Sequence, residues 1–219
     1  MGREMEVLKN EPMKSAVIIM LLSWLGSFQV FGQEVFTLKN PSFEDDKPTH
    51  STVPNDWMDL GAPGETPPDI QPGNFSVNLQ AQHGKTYLGL VVRDNNTWEG
   101  VGQELDGYLE KDSTYTFSVW LARANNLISI SKLTGQEAKY NNPTILKIWG
   151  VNTETREEEL LAESTAISHS LWTLFTFTLQ PTVADFDEID LMAYYAPGYE
   201  KTNGNLLIDN CSAIVKIGQ

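Results

Sequence analysis

Thr114-Tyr115-Thr116-Phe117-Ser118-Val119-Trp120-Leu121-Ala122-Arg123 alternates strictly along its length. Tyr115, Phe117, Val119 and Leu121 fall on one side; Thr116, Ser118 and Trp120 fall on the other. A repeat of two is the signature of a β-strand with one buried face, because successive side chains of a strand point in opposite directions. Residues 172–180 repeat the pattern, with Phe175, Phe177 and Leu179 in register. Further strands are predicted over 35–39, 86–93, 101–105, 145–151, 159–163, 188–195 and 206–217. Turn clusters separate them, among them Asp94-Asn95-Asn96, Asn141-Asn142-Pro143 and Asn203-Gly204-Asn205. No amphipathic helix and no internal repeat interrupts the series. Many strands joined by turns predict an all-β antiparallel sandwich or barrel. Residues 61–73 (GAPGETPPDIQPG) are rich in proline and glycine, which predicts a stiff, extended connection along an edge. Such a connection also has the makings of a binding-site rim.

The chain carries a formal net charge of −14. That charge repels phosphate backbones and anionic lipids, so nucleic acid is excluded as a natural partner, whereas neutral polymers and cations suit it. Cys211 is the single cysteine, so no internal disulfide supports the fold.

Residues 16–31 are mostly apolar and follow Lys14, but Ser23, Gly26, Ser27 and Gln29 break the run. It is too short for a comfortable membrane span and reads as a signal peptide cleaved before Gln33. Met13 stands directly before Lys14 and offers an alternative start, which would put residues 1–12 upstream of it. An uncleaved anchor is the other reading. Residues 33–219 then form a single domain, exported to the periplasm, the cell surface or the medium.

Asn40-Pro41-Ser42-Phe43-Glu44 with Trp57, then Gly84-Lys85-Thr86-Tyr87-Leu88-Gly89-Leu90, then residues 115–123, and finally Leu207-Ile208-Asp209-Asn210 occur in a telling order. This order resembles the cellulose- and xylan-binding modules with a galactose-binding-like jelly-roll fold. It is also similar to N-terminal modules of certain bacterial cell-envelope proteins. The resemblance implies a jelly-roll β-sandwich with its first and last strands adjacent. It further implies a structural calcium held by Glu44, Asp209 and a backbone oxygen near Lys85. Two carboxylates and carbonyl oxygens suit a hard cation. The competing reading is that both carboxylates accept hydrogen bonds at strand ends.

Assigning the apolar side of each strand to the core leaves Tyr87, Arg93, Trp120, Lys147, Trp149, Glu188, Asp190 and Tyr194 on the opposite side. Flat rings stack on the apolar faces of pyranoses, and charged groups bind their hydroxyls, so this set reads as a sugar cleft. The opposing expectation is that loops cover that face and the rings pack beneath them. Trp98 stands apart in a polar loop, as a platform at the edge or a plug over it. Trp57 reads as structural.

No catalytic pattern is present: His50, His83 and His169 lie far apart, and there is no nucleophile elbow or phosphate-binding glycine loop. Cys211, placed on the face of Leu207, Asp209 and Ala213, reads as a packed residue. The leading expectation is a non-catalytic carbohydrate-binding module. An envelope or adhesion module with a protein partner comes next. A glycoside-cleaving enzyme would need two carboxylates facing across a cleft, one with a raised pKa.

Overall fold

A computed structural model describes residues 1–2 and 33–218. The expected signal segment lies almost wholly outside the described residues. Among them, no helix is long and apolar enough to cross a membrane.

The strands are β1 (Val35–Phe36), β2 (Met58–Asp59), β3 (Asp69–Gln71), β4 (Tyr87–Val92), β5 (Gly100–Leu109), β6 (Thr114–Ala122) and β7 (Ile128–Ile130). They continue with β8 (Glu137–Lys139), β9 (Thr144–Val151), β10 (Glu158–Glu163), β11 (Thr173–Leu179), β12 (Phe186–Tyr195), β13 (Gly204–Asp209) and β14 (Ile214–Gly218). One sheet of seven strands runs β1-β14-β6-β13-β4-β3, with β11 on the other edge of β6. A second sheet of five runs β10-β9-β12-β5-β2, and β7 pairs with β8 as a separate hairpin. All strand pairings are antiparallel. The two large sheets form a jelly-roll sandwich.

The main core lies between the sheets. Leu88, Leu90 and Val92 of β4 meet Leu146, Ile148, Ile189 and Leu191 of the facing sheet there, with Tyr115, Phe117, Val119 and Leu121 of β6. These are the inward residues that alternation predicts. The chain termini of the domain are neighbours, as expected: Val35 pairs with Val215 and Phe36 with Ile214.

Three features depart from the expectations. Residues 206–217 form two strands instead of one, because Asn210 adopts a left-handed backbone (φ 50). That kink reverses side-chain parity. Leu207, before it, lies in a smaller apolar cluster outside the seven-stranded sheet, while Cys211, just after it, turns into the main core. The end of the proline-rich connection becomes β3, whose three residues are all buried at the sheet edge. The β7–β8 hairpin was not predicted; three residues per strand are too few for periodicity to register.

The small cluster decides which face is open. Val77, Tyr87, Val91, Leu127 and Tyr140 pack together on the outer side of β4 and β13, so that side of the seven-stranded sheet is roofed by connections. Covering the outer face in this way also explains why β4 is buried on both sides.

Candidate binding groove

Strands β9 and β12 lie side by side in the five-stranded sheet, with Asp190 opposite Trp149 and Met192 opposite Lys147. Directly paired antiparallel residues share a face. On the outer face they form a groove of about 380 Å³ lined by Trp98, Lys147, Trp149, Glu158, Asp190, Met192 and Tyr194. Trp98, Trp149 and Tyr194 are half-buried, each presenting part of its ring. The Trp98 ring meets Tyr194 edge-on at 4.8 Å, and the Lys147 ammonium sits 4.1 Å above the Tyr194 ring. Such contacts restrict both side chains and fix the platform. Trp98 also borders a second hollow beside Leu60, Gly61, Ala62 and Pro63. The proline-rich connection runs along the edge of the seven-stranded sheet as β3, and its start borders this hollow and not the groove.

The groove floor depends on glycine. Gly102 of β5 lies opposite Asp190, and a Cβ there would stand 2.6 Å from Asp190 Oδ1. Any side chain at position 102 would displace the carboxyl group.

Asp190 is the unusual group of the site. It is 8% exposed, and its Oδ1 is buried without a hydrogen-bond partner. Burial, with the charges of Glu188 and Glu158, pushes its pKa up to about 8. Asp69, on the other sheet, is driven up to about 7, mainly by burial, against the pull of its bond from Gln71. Both groups keep a proton in the folded chain that the unfolded chain releases near pH 4. Folding therefore takes up protons between about pH 4 and pH 8, and stability falls as pH rises through that window. Each group contributes at most ~1.4 kcal/mol per pH unit. Glu65, Asp94, Glu159 and Asp187 act oppositely, since their lowered pKa values remove stability only at the acid end. Melting temperature should peak on the acid side of neutrality. Asp190→Asn should raise it at pH 8 while changing little at pH 5. A variant that melts lower than the parent at pH 8 would contradict this account.

The expected single aromatic face does not form. Tyr87, Arg93 and Trp120 belong to the seven-stranded sheet, and the outer faces of the two sheets look away from each other. Tyr87 is fully buried in the small cluster, with its hydroxyl donating to the Leu79 carbonyl at 2.7 Å. Arg93 is 3% exposed and ion-paired with Glu99. Trp120 is half-buried on β6, opposite Leu174 of β11. Alternation gives each strand its inner side but not its sheet. Glu158 and Met192 were missed. Met192 carries a usable signal, being two residues from both Asp190 and Tyr194 on one strand.

The two carboxylates expected to hold calcium each accept amide hydrogens from residues 82–85. Lys85 N–H donates to both Glu44 oxygens, at 2.9 and 3.1 Å. Gln82 and His83 N–H donate to Asp209 Oδ2 at 2.8 and 3.0 Å, and the Ser42 hydroxyl donates to Oδ1 at 2.8 Å. Gly84 lies between them at φ +66, where a Cβ would stand 1.7 Å from a Glu44 oxygen. Among the described residues, no group of three or more His, Cys, Asp or Glu gathers around a metal-sized space. The competing reading, carboxylates accepting hydrogen bonds at strand ends, describes these contacts. Calcium at millimolar level, compared with a chelator, should leave the melting temperature unchanged. A rise of several degrees with calcium would reinstate the ion.

No family model matches the chain, and no curated protein matches it in sequence. Solved structures do match. A cyclase from Fischerella sp. TAU, in complex with 4-(1H-indol-3-yl)butan-2-one, is 15% identical with a TM-score of 0.54, covering 84% of this chain and 98% of its own. The Stig cyclase Fisc from the same organism is 14% identical with a TM-score of 0.53, over 85% and 99% of the two chains. The CBM22-1 xylan-binding domain of Paenibacillus barcinonensis Xyn10C is 14% identical with a TM-score of 0.49, over 86% and 97%. At such identities the cyclase likeness supports the fold alone.

Proposed function

We propose that the protein is a non-catalytic carbohydrate-binding module of an exported protein, and that it holds a poly- or oligosaccharide along the groove of the five-stranded sheet. The observation that carries this reading is the gathering of three half-exposed rings, Trp98, Trp149 and Tyr194, with Lys147, Glu158 and Asp190 in one open groove. Pyranose rings present axial C–H groups that stack on indole and phenol faces, while their equatorial hydroxyls reach charged groups at the margins. The sugar polymer carries no charge for the acidic chain to repel. Export rests on the apolar run of residues 16–31.

Affinity electrophoresis through gels containing plant, algal and cell-wall glycans tests the proposal. At least one glycan should retard the protein. Unretarded migration in all of them would end the reading.

One observation favours a second reading. Asp190, with its raised pKa, shares the groove with Glu158, whose charge adds to that rise. A protonated acid beside a carboxylate is the chemistry of glycoside cleavage. Chromogenic glycosides should remain intact if the module only binds. Product release that disappears in Asp190→Asn would establish the hydrolytic reading in its place.

A further inference from the structure

A second cavity lies on the opposite sheet, independent of the groove. It occupies about 160 Å³ where the proline-rich connection, the end of β4 and the β7–β8 hairpin meet. Its walls include Phe75, Val91, Leu127 and Tyr140, which are apolar over most of their surface. Its polar groups come from four separate parts of the chain.

The charged groups are largely matched. Arg93 Nη2 contacts Glu99 and donates to Thr66 Oγ1 at 3.0 Å, and Lys132 pairs with Glu65 at 2.5 Å. What remains is mixed in character. Arg93 Nη1 is buried and has no hydrogen-bond partner. Asp69 is 6% exposed, and its one side-chain hydrogen bond among the described residues is a long 3.3 Å contact from Gln71. The hydroxyl of Ser129, half-buried on the hairpin, makes no hydrogen bond among the described residues. An unmatched donor, an unmatched acid and a free hydroxyl, set among apolar walls, are costly to leave dry.

Glu65 and Glu99 already pair with Arg93, so an anion finds no unmatched positive charge there, and a cation would meet Arg93 and Lys132. A neutral hydroxylated ring meets neither objection. Each of its hydroxyls both accepts and donates, so neighbouring hydroxyls are able to satisfy Arg93 and Asp69 together. Size narrows the choice further. The cavity is about half the low end of ordinary ligand pockets, roughly 300 Å³, so it suits one sugar ring and not a run of them.

We infer that this cavity binds a single neutral pyranose, as a free monosaccharide or the end of a glycan chain. Arg93 and Asp69 serve as its hydrogen-bonding pair, and the β7–β8 hairpin is its outer wall. The site would make the protein two-sided, with a chain-binding groove on one sheet and a ring-sized pocket on the other.

Amide NMR spectra recorded during titration with D-xylose, D-glucose, D-galactose, D-mannose and L-arabinose test this. At least one sugar should shift the amides of Thr66, Ser129 and Lys132. Ser129→Trp, which fills the cavity from the hairpin, should abolish these shifts. Asp69→Asn should weaken binding about tenfold, and both variants are checked for cooperative melting like the parent's at pH 5. Trp149→Ala should leave the shifts intact, which separates failure of this site from failure of the groove. The inference is overturned if none of the five sugars moves these amides. It is equally overturned if the shifts survive in folded Ser129→Trp, or if they vanish in Trp149→Ala and not in Ser129→Trp.

Discussion

Replacing Asp209 with alanine is expected to remove about 3–5 kcal/mol of folding stability. The carboxylate is wholly buried and accepts from three donors, the Gln82 and His83 amides and the Ser42 hydroxyl. Each donor left buried without a partner costs roughly 1–3 kcal/mol. Burial raises the pKa of the Asp209 carboxyl, while the His83 amide and the Ser42 hydroxyl draw it back, so its hydrogen bonds work to keep it ionised. The same group ties β13 to residue 42 near the start of the domain. The segment gains a second tie where Cys211 N–H donates to the Pro41 carbonyl at 2.8 Å. Since whole domains are typically stable by only ~5–15 kcal/mol, the variant should sit close to its unfolding threshold. Urea titration would show the midpoint moving sharply down with an unchanged slope. A midpoint within a few tenths molar of the parent would mean that the clip contributes little.

The second large effect concerns the groove. Trp149→Ala should weaken glycan binding about thirtyfold, or ~2 kcal/mol, as removal of a central aromatic anchor commonly does. Trp149 stands opposite both Leu160 and Asp190, so its ring occupies the middle of the sheet instead of its margin. Trp120→Ala should leave binding unchanged, because that ring lies on the other sheet. Half-exposed Trp149 makes fewer core contacts than a buried ring, so the melting temperature should move by only a few degrees. Titration calorimetry with whichever glycan retards the parent protein would measure both. Equal losses in the two variants would contradict the assignment of the groove to one sheet.

Much of this architecture is written in residue alternation. On β6, β9 and β12, the apolar residues at every second position do face the core, and β9 and β12 supply Lys147, Trp149, Asp190 and Tyr194 to one surface. The adjacency of the first and last strands is likewise legible in the motifs at the two ends of the domain. What alternation lacks is any record of partnership between strands. Tyr87 and Trp149 look equivalent in sequence, each an aromatic beside an inward-facing aliphatic (Leu88 and Ile148), yet one is sealed under loops and the other lines a groove. That difference arises from the connection around Val77 and the hairpin before Tyr140, which are non-local in origin. Asn210 shows a second limit. One left-handed residue turns Cys211 to the face opposite the one alternation assigns it, and no periodicity within the segment announces it. Glu44 and Asp209 show a third. Both were singled out in sequence, but that each accepts amide hydrogens from residues 82–85 depends on which way that backbone turns.

The central claim is that the outer face of the five-stranded sheet, and not that of its partner, receives a glycan chain. Indole N–H resonances of the individual tryptophans, followed during addition of a retarding glycan, test it most directly. Trp98 and Trp149 should shift in a saturable way, while Trp57, Trp120 and Trp172 stay in place. Saturable shifts of Trp120 or Trp172 with Trp149 unmoved would show that the ligand binds the opposite sheet.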